Sequence, residues 1–325
     1  MSVGLTRLRR FTPGVSFLSW RRAQDRAAGG VFFIIAALPP LLAVLLIVAL
    51  LARSWPILET KPVWALLAGQ IWKPFKGEFG FYPFIIGTLW VTVVAMVLAV
   101  PPCLLSAIYL VEYARPSVRV VIKPLLDLLA GIPSVVYGVW GMVAVVPAVQ
   151  AFARPLLSRW FGSVPLFASK NPTGYGVLSG GVVLAVMVAP VIIAVVYEVL
   201  QSIPLGLREA SLAVGATRWQ TVKYAVLPRA LPGVIAAVVL GFSRAFGETM
   251  AVLMVVGNVP QVPSSIFDAA YPLTALIANN YGEMMSIPLY DAALMGAALV
   301  LLLIVLGFNI LATVVLHQVA RRSKA

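Results

Sequence analysis

The sequence is short of the groups that do chemistry in water. Only 11% of its 325 residues are Asp, Glu, Lys or Arg, against about 25% in an average soluble domain. So few charges cannot cover a soluble enzyme of this length. There is one cysteine, Cys103, and one histidine, His317. A lone cysteine makes no intrachain disulfide, and with one histidine a zinc site or a Ser/His or Cys/His triad has almost no material. No Gly-Lys dipeptide occurs, so the phosphate cradle of a P-loop ATPase is missing. Any ATP hydrolysis that this chain uses belongs to another polypeptide. The 25 glycines and 24 prolines are scattered through apolar runs rather than bunched, which excludes a low-complexity chain.

What is abundant is apolar surface, at 61% of residues. A bilayer core needs about 20 apolar residues to be crossed by a helix. Six runs are long enough: 31–51, 84–110, 128–152, 176–197, 231–257 and 292–316. The expected fold class is therefore all-α, a polytopic membrane protein with six transmembrane helices. Prolines interrupt several runs (Pro39-Pro40, Pro101-Pro102, Pro133, Pro190). Such kinks are tolerated in a membrane bundle, where neighbours satisfy the freed backbone groups. The first run follows about thirty mostly polar residues and exceeds a 7–15 residue signal core, so it is read as a retained helix.

The net charge of +13 is read as topogenic. With six spans, sixteen Lys and Arg fall on the side of both termini and of the loops after spans two and four, and seven on the other. The positive-inside rule then puts both termini in the cytoplasm. Anionic membrane lipids are the plainer partners for the basic N-terminus, and no nucleic acid is expected. This divides the chain into a cytoplasmic segment 1–30, a first helix 31–51, a core 84–317 with a cytoplasmic loop 201–230, and a tail 318–325. The outer segment 258–291 is expected to form a short helix near the interface, from its apolar stretch Ile266–Ile277.

Two charges, Arg244 and Glu248, lie near the middle of the fifth run. Each costs roughly 2.5–3.5 kcal/mol on insertion scales. Their i, i+4 spacing predicts one helical face, where they can pair and share a wet cavity. One reading is an anion pathway: a guanidinium matches phosphate or carboxylate oxygens with a flat fork of donors, and Glu248 neutralises it when the path is empty. The other is a structural ion pair. For an intramembrane enzyme the acids Asp127, Glu198 and Glu248 have no second carboxylate or histidine at a short helical spacing.

The loop after the fourth run reads Pro204 to Pro228. Pro204 and Gly206 end one helix, 209–214 carries good helix formers, Gly215 suits a positive-φ stop, Thr217 can cap a second helix, and Pro228 breaks it. Exposed Leu212, Val214 and Trp219 would suit a partner's groove. The residues Glu209-Ala210-Ser211, then Gly215, then Leu227-Pro228 resemble the E-A-A-x₃-G-x₉-I-x-L-P coupling loop of permease subunits of bacterial ABC importers. Ser211 and Ala225 depart from it by small substitutions. The stretch Gly241–Val252 is similar to the PstC-type permeases of phosphate importers, and Ala130–Gly138 is similar both to these and to their PstA-type partners.

That resemblance implies an ABC importer type I permease fold and a non-catalytic translocation subunit without a cofactor. It implies a PstA-like second permease, a PstB-like ATPase dimer gripping Glu209, Ala210, Ser211, Gly215, Leu227 and Pro228, and a PstS-like phosphate-binding protein. In many bacteria such a complex also reports to a phosphate-sensing regulator. Arg244 and Glu248 match the family's intramembrane pair. Sulfate, molybdate or phosphonate remain open as cargo. So does a proton-coupled secondary transporter, although that class has no need of an ATPase-docking helix pair.

Overall fold

The structure is a computed structural model that describes residues 15–168, 171–283 and 287–322. Of the orienting charges, Arg7, Arg9, Arg10, Lys170 and Lys324 lie outside these residues. Among the described residues six helices are long and apolar enough to cross a membrane: Gln24–Thr60, Tyr82–Tyr113, Ser134–Phe161, Val177–Gln201, Arg218–Phe246 and Pro288–Val319. Among the described residues β-pairing is confined to two isolated bridges, Lys73 with Glu78 and Gly257 with Ala270. The fold is all-α, as the composition requires.

The chain divides into two compact units, residues 1–52 and 53–325. In the first, the described residues belong to helix α1 (Val15–Thr60). Its run 31–51 is mostly exposed, as suits a helix whose surroundings are apolar.

The second unit contains α2 (Tyr82–Ile108), α3 (Pro116–Ala130), α4 (Ser134–Phe161), α5 (Val177–Gln201), α6 (Leu205–Ala213), α7 (Arg218–Phe246), α8 (Leu273–Asn280) and α9 (Pro288–Arg322). Helices α2 and α5 pack along each other. Each offers a stripe at four-residue spacing: Val91, Ala95, Ala99, Cys103 and Ala107 on α2, Leu184, Val188, Ile192, Val196 and Leu200 on α5, all buried. Small residues on one stripe let large ones on the other come close. At Gly181 a Cβ would sit 2.5 Å from Val94 Cγ1, and at Gly241 on α7 it would sit 2.6 Å from Ile192. A second apolar cluster joins Ile57, Phe81, Phe84, Leu273, Leu276 and Leu294. There Trp72 packs edge-on against Phe79 and Phe84.

The helices are not regular cylinders. Three of the four π turns among the described residues, Gly141–Val145, Val149–Ala153 and Val222–Val226, each close with a bond from the next residue's N–H to the carbonyl five back. In each of these three a proline stands two residues past the turn: Pro147, Pro155 and Pro228. A proline ring clashes with the carbonyl four residues earlier. Widening the helix just before the proline accommodates the ring and keeps the chain helical.

This corrects three sequence expectations. Pro228 does not break the second hairpin helix, which runs on as Arg218–Phe246. The third span does not begin at Leu128: α3 ends at Ala130, and α4 starts at Ser134 after Pro133, whose φ is fixed near −58°. The fifth span does not reach Gly257. The outer stretch Ile266–Ile277 does lead into a short helix, α8, which starts at Leu273, and most of the stretch is buried within the unit.

Gly181→Val should destabilise the protein by about 1–3 kcal/mol through overpacking against Val94. Thermal unfolding in detergent measures it, and an unchanged midpoint would show that α2 and α5 are not in contact there.

Candidate functional site

Helix α7 ends at Phe246, and Gly247 caps it. The chain then turns at Glu248 and Thr249 into a single helical turn, Met250–Leu253. Arg244 is therefore in the last turn of a helix, and Glu248 lies beyond its end. The one-face geometry expected from their spacing requires an unbroken helix, so it does not form. Among the described residues the ion pairs within 4 Å are Arg53–Asp291, Lys123–Glu198 and Arg208–Glu112. Arg244 and Glu248 are not paired.

Each has another partner. Arg244 Nη2 donates to the Ala130 carbonyl at 3.4 Å. Ala130 is the last residue of α3, where the final carbonyls of a helix lack intrahelical partners. Tyr137 Oη donates to Leu129 O at 2.9 Å in the same break. The guanidinium thus lies at the carbonyl ends of two helices, its own and α3. Both carry partial negative charge and favour a cation. The side chain is exposed in the single chain, and Nε and Nη1 are left for other partners.

Glu248 is half-buried. Its Oε1 accepts from Ala251 N at 3.4 Å, and its carbonyl accepts from Thr274 Oγ1 at 2.9 Å. It borders a narrow crevice with Thr88, Thr92, Pro272 and Thr274. Thr88 in turn accepts from Leu273 N at 2.9 Å. Thr274 thus fixes the loop that carries the carboxylate, Thr88 fixes the start of α8, and Thr92 donates back to Thr88 O within α2. Sequence reasoning missed Ala130 and Thr274, because no local pattern links residue 130 to 244 or 274 to 248. It did single out the Ala130–Gly138 stretch, and Arg244 donates to the first residue of that stretch.

The hairpin that follows α5 takes the expected form with a sharper geometry. Gly215 has φ +87°, with nothing within 4 Å of where a Cβ would stand. Glycine is required there by backbone conformation and not by space. Thr217 caps α7 in a reciprocal box, accepting from Gln220 N at 3.3 Å while Gln220 Oε1 accepts from Thr217 N at 2.8 Å. Leu212, Val214 and Trp219 are exposed, Val214 by 85%. Glu209, Ala210, Gly215 and Pro228 are exposed as well, while Ser211 and Leu227 are half-buried. Ser211 Oγ lies 2.9 Å from Thr221 Oγ1 and ties the two hairpin helices together. Alanine could not make this bond.

The acids considered for catalysis do not converge. Glu198 binds Lys123 at 2.6 Å, with both side chains 57% exposed. The hydrogen bond that Lys123 Nζ donates to this carboxylate holds the ammonium above its ordinary pKa range. Asp127 is exposed on α3. No group of three His, Cys, Asp or Glu that could hold a metal occurs among the described residues.

Residues 103–325 match the family model of the binding-protein-dependent transport system inner membrane component. The chain is 36% identical over 262 residues to the phosphate transport system permease protein PstC of Pasteurella multocida, covering 80% of this chain and 81% of that one. It is 36% identical over 269 residues to the PstC of Mesorhizobium japonicum, covering 82% and 81%. Among solved structures it superposes, with a TM-score of 0.53 and 17% identity, on a chain of a bacterial ABC transporter involved in the import of the acidic polysaccharide alginate, covering 90% of this chain and 98% of that one. That likeness is one of fold.

Thr217→Ala should cost the hairpin about 1 kcal/mol of local stability. Amide exchange at 218–221 should speed up accordingly, and unchanged protection would show that the capping box contributes nothing.

Proposed function

The chain belongs to the family of binding-protein-dependent transport system inner membrane components, and from that premise we propose that it is the PstC-type permease subunit of an ATP-driven importer of inorganic phosphate. It is a multi-pass inner membrane protein. It works with a PstA-like second permease, a PstB-like cytoplasmic ATPase dimer and a PstS-like binding protein, and has no catalytic site of its own. The excess of Lys and Arg on that side supports a cytoplasmic position for both termini and the hairpin. In this reading residues 84–317 are the permease core and 201–230 the coupling segment, with 1–30 and 318–325 cytoplasmic.

The observation that carries the substrate reading is Arg244. It is charged, exposed on its own chain, and held by one backbone carbonyl rather than neutralised by a carboxylate. Its remaining donors form a fork that matches two oxygens of a phosphate. A second permease covering this face would enclose the fork in a path. Glu248 lies beyond the helix end, fixed by Thr274. Phosphate carries a proton at neutral pH and can donate a hydrogen bond to Glu248. Fully ionised sulfate cannot, and its charge would meet the carboxylate unrelieved. The two groups therefore select different features of the same anion, which a closed Arg–Glu pair would not.

The hairpin supplies the coupling surface. Glu209, Ala210 and Gly215 are exposed beside Leu212, Val214 and Trp219, while Ser211 bonds inward. A mostly apolar, rigid knob of this kind fits a groove on an ATPase.

Arg244→Gln should assemble normally and lose phosphate uptake by about tenfold or more, the loss of a charge-assisted contact. Uptake at the wild-type rate, at equal membrane abundance, would remove Arg244 from the path. In vesicles holding the whole complex, equal sulfate should not slow uptake of labelled phosphate. Strong competition would defeat the phosphate assignment and favour a general oxyanion carrier.

A further inference from the structure

All three guanidinium nitrogens of Arg208 are committed. Nε donates to the two carboxylate oxygens of Glu112 at 3.1 and 3.4 Å. Nη2 donates to Glu112 Oε1 at 2.9 Å and to Leu200 O at 2.8 Å, and Nη1 donates to Ile203 O at 2.6 Å. The two side chains are only 13% and 12% exposed.

These bonds join three elements. Arg208 is on α6, the first helix of the hairpin. Leu200 and Ile203 are the last turn of α5 and the residues just past it. Glu112 sits in a π turn, Tyr109–Tyr113, that extends the cytoplasmic end of α2. A second arginine braces the same turn: Arg119 Nη2, from α3, donates to Val111 O at 2.7 Å. The hairpin is already joined to α5 and α7 through the chain itself. To α2 it is joined by the Arg208–Glu112 pair. Helix α2 carries Thr88 and Thr92, which border the Glu248 crevice at its other end.

We infer that Arg208, clamped on Glu112, is the positioning residue that makes α2 move with the coupling hairpin, so that a push on α6 reaches the threonines around Glu248. The inference rests on the reading of the hairpin as the ATPase-docking element. Arg208 is not part of the exposed docking face, so its role is separable from docking. A buried ion pair is also poorly explained as a stabiliser, since apolar replacement of both partners is often neutral or better, whereas removing one strands a charge.

The test uses the whole complex in vesicles, with inorganic phosphate as probe. Three quantities are read: ATPase retained on the permease, KM for phosphate, and phosphate taken up per ATP hydrolysed. In the double variant Arg208→Met with Glu112→Met, the first two should be unchanged and the uptake-per-ATP ratio should fall by about tenfold. Arg208→Lys keeps the charge but not the fork, and should give an intermediate ratio. A wild-type ratio in the assembled double variant overturns the inference. So does a parallel loss of uptake and ATP hydrolysis at constant ratio, which marks a merely structural pair. If the double variant fails to assemble, Arg208→Lys decides: a lowered ratio at normal assembly supports the inference, and a wild-type ratio overturns it. A wild-type complex without ATP-dependent phosphate uptake overturns the transport reading as well, and so separates the two failures.

Discussion

A helix that stops inside an apolar bundle leaves carbonyls with nothing to bond, and every such stop has to be closed. That constraint organises this molecule. Helix α3 stops at Ala130, and Arg244 and Tyr137 bond the carbonyls of its last two residues. Helix α5 stops after Gln201, and Arg208 takes the carbonyls of Leu200 and Ile203. Helix α7 stops at Phe246, and the turn beyond it is pinned by Thr274. The charged side chains of the core are found where the backbone is interrupted, because a cation and a helix's carbonyl end stabilise each other.

In the proposed transport role the same constraint bears on substrate handling. A guanidinium paired with a carboxylate would have to break that pair for each anion it bound. One held by a carbonyl stays charged and keeps donors in reserve. Arg244 is in the second state. The separation of Glu248 onto the far side of a helix end keeps the carboxylate in reach of the crevice without cancelling the cation. Prolines contribute in a related way. Pro147, Pro155 and Pro228 each follow a π turn, so the helices bend and widen without opening their ladders to the surroundings.

Much of this was legible before any coordinates. Six apolar runs sufficed to count the helices able to cross a membrane, because length and absence of charge are one-dimensional properties. The hairpin was legible because Gly215 and Thr217 act through their own backbone and a residue three positions away. The α2 and α5 stripes were not, because the positions between Val91, Ala95 and Ala99 are also apolar, and a pattern without contrast has no visible period. The end of α7 was not legible either. Gly247 is an ordinary residue within a membrane helix, and here the stop depends on packing beyond it. The expected Arg244–Glu248 pair failed for that reason alone.

By itself the sequence determined the class of molecule, the number of spans and the chemistry of the turn between α6 and α7, since each depends on composition or on neighbours within a few residues. Tertiary structure alone decided which carbonyl holds Arg244, which threonine holds Glu248, and that Arg208 meets Glu112. Those partners lie 114, 26 and 96 residues apart in the chain. Their meeting depends on how helices of nearly uniform apolarity pack, and no local pattern encodes that.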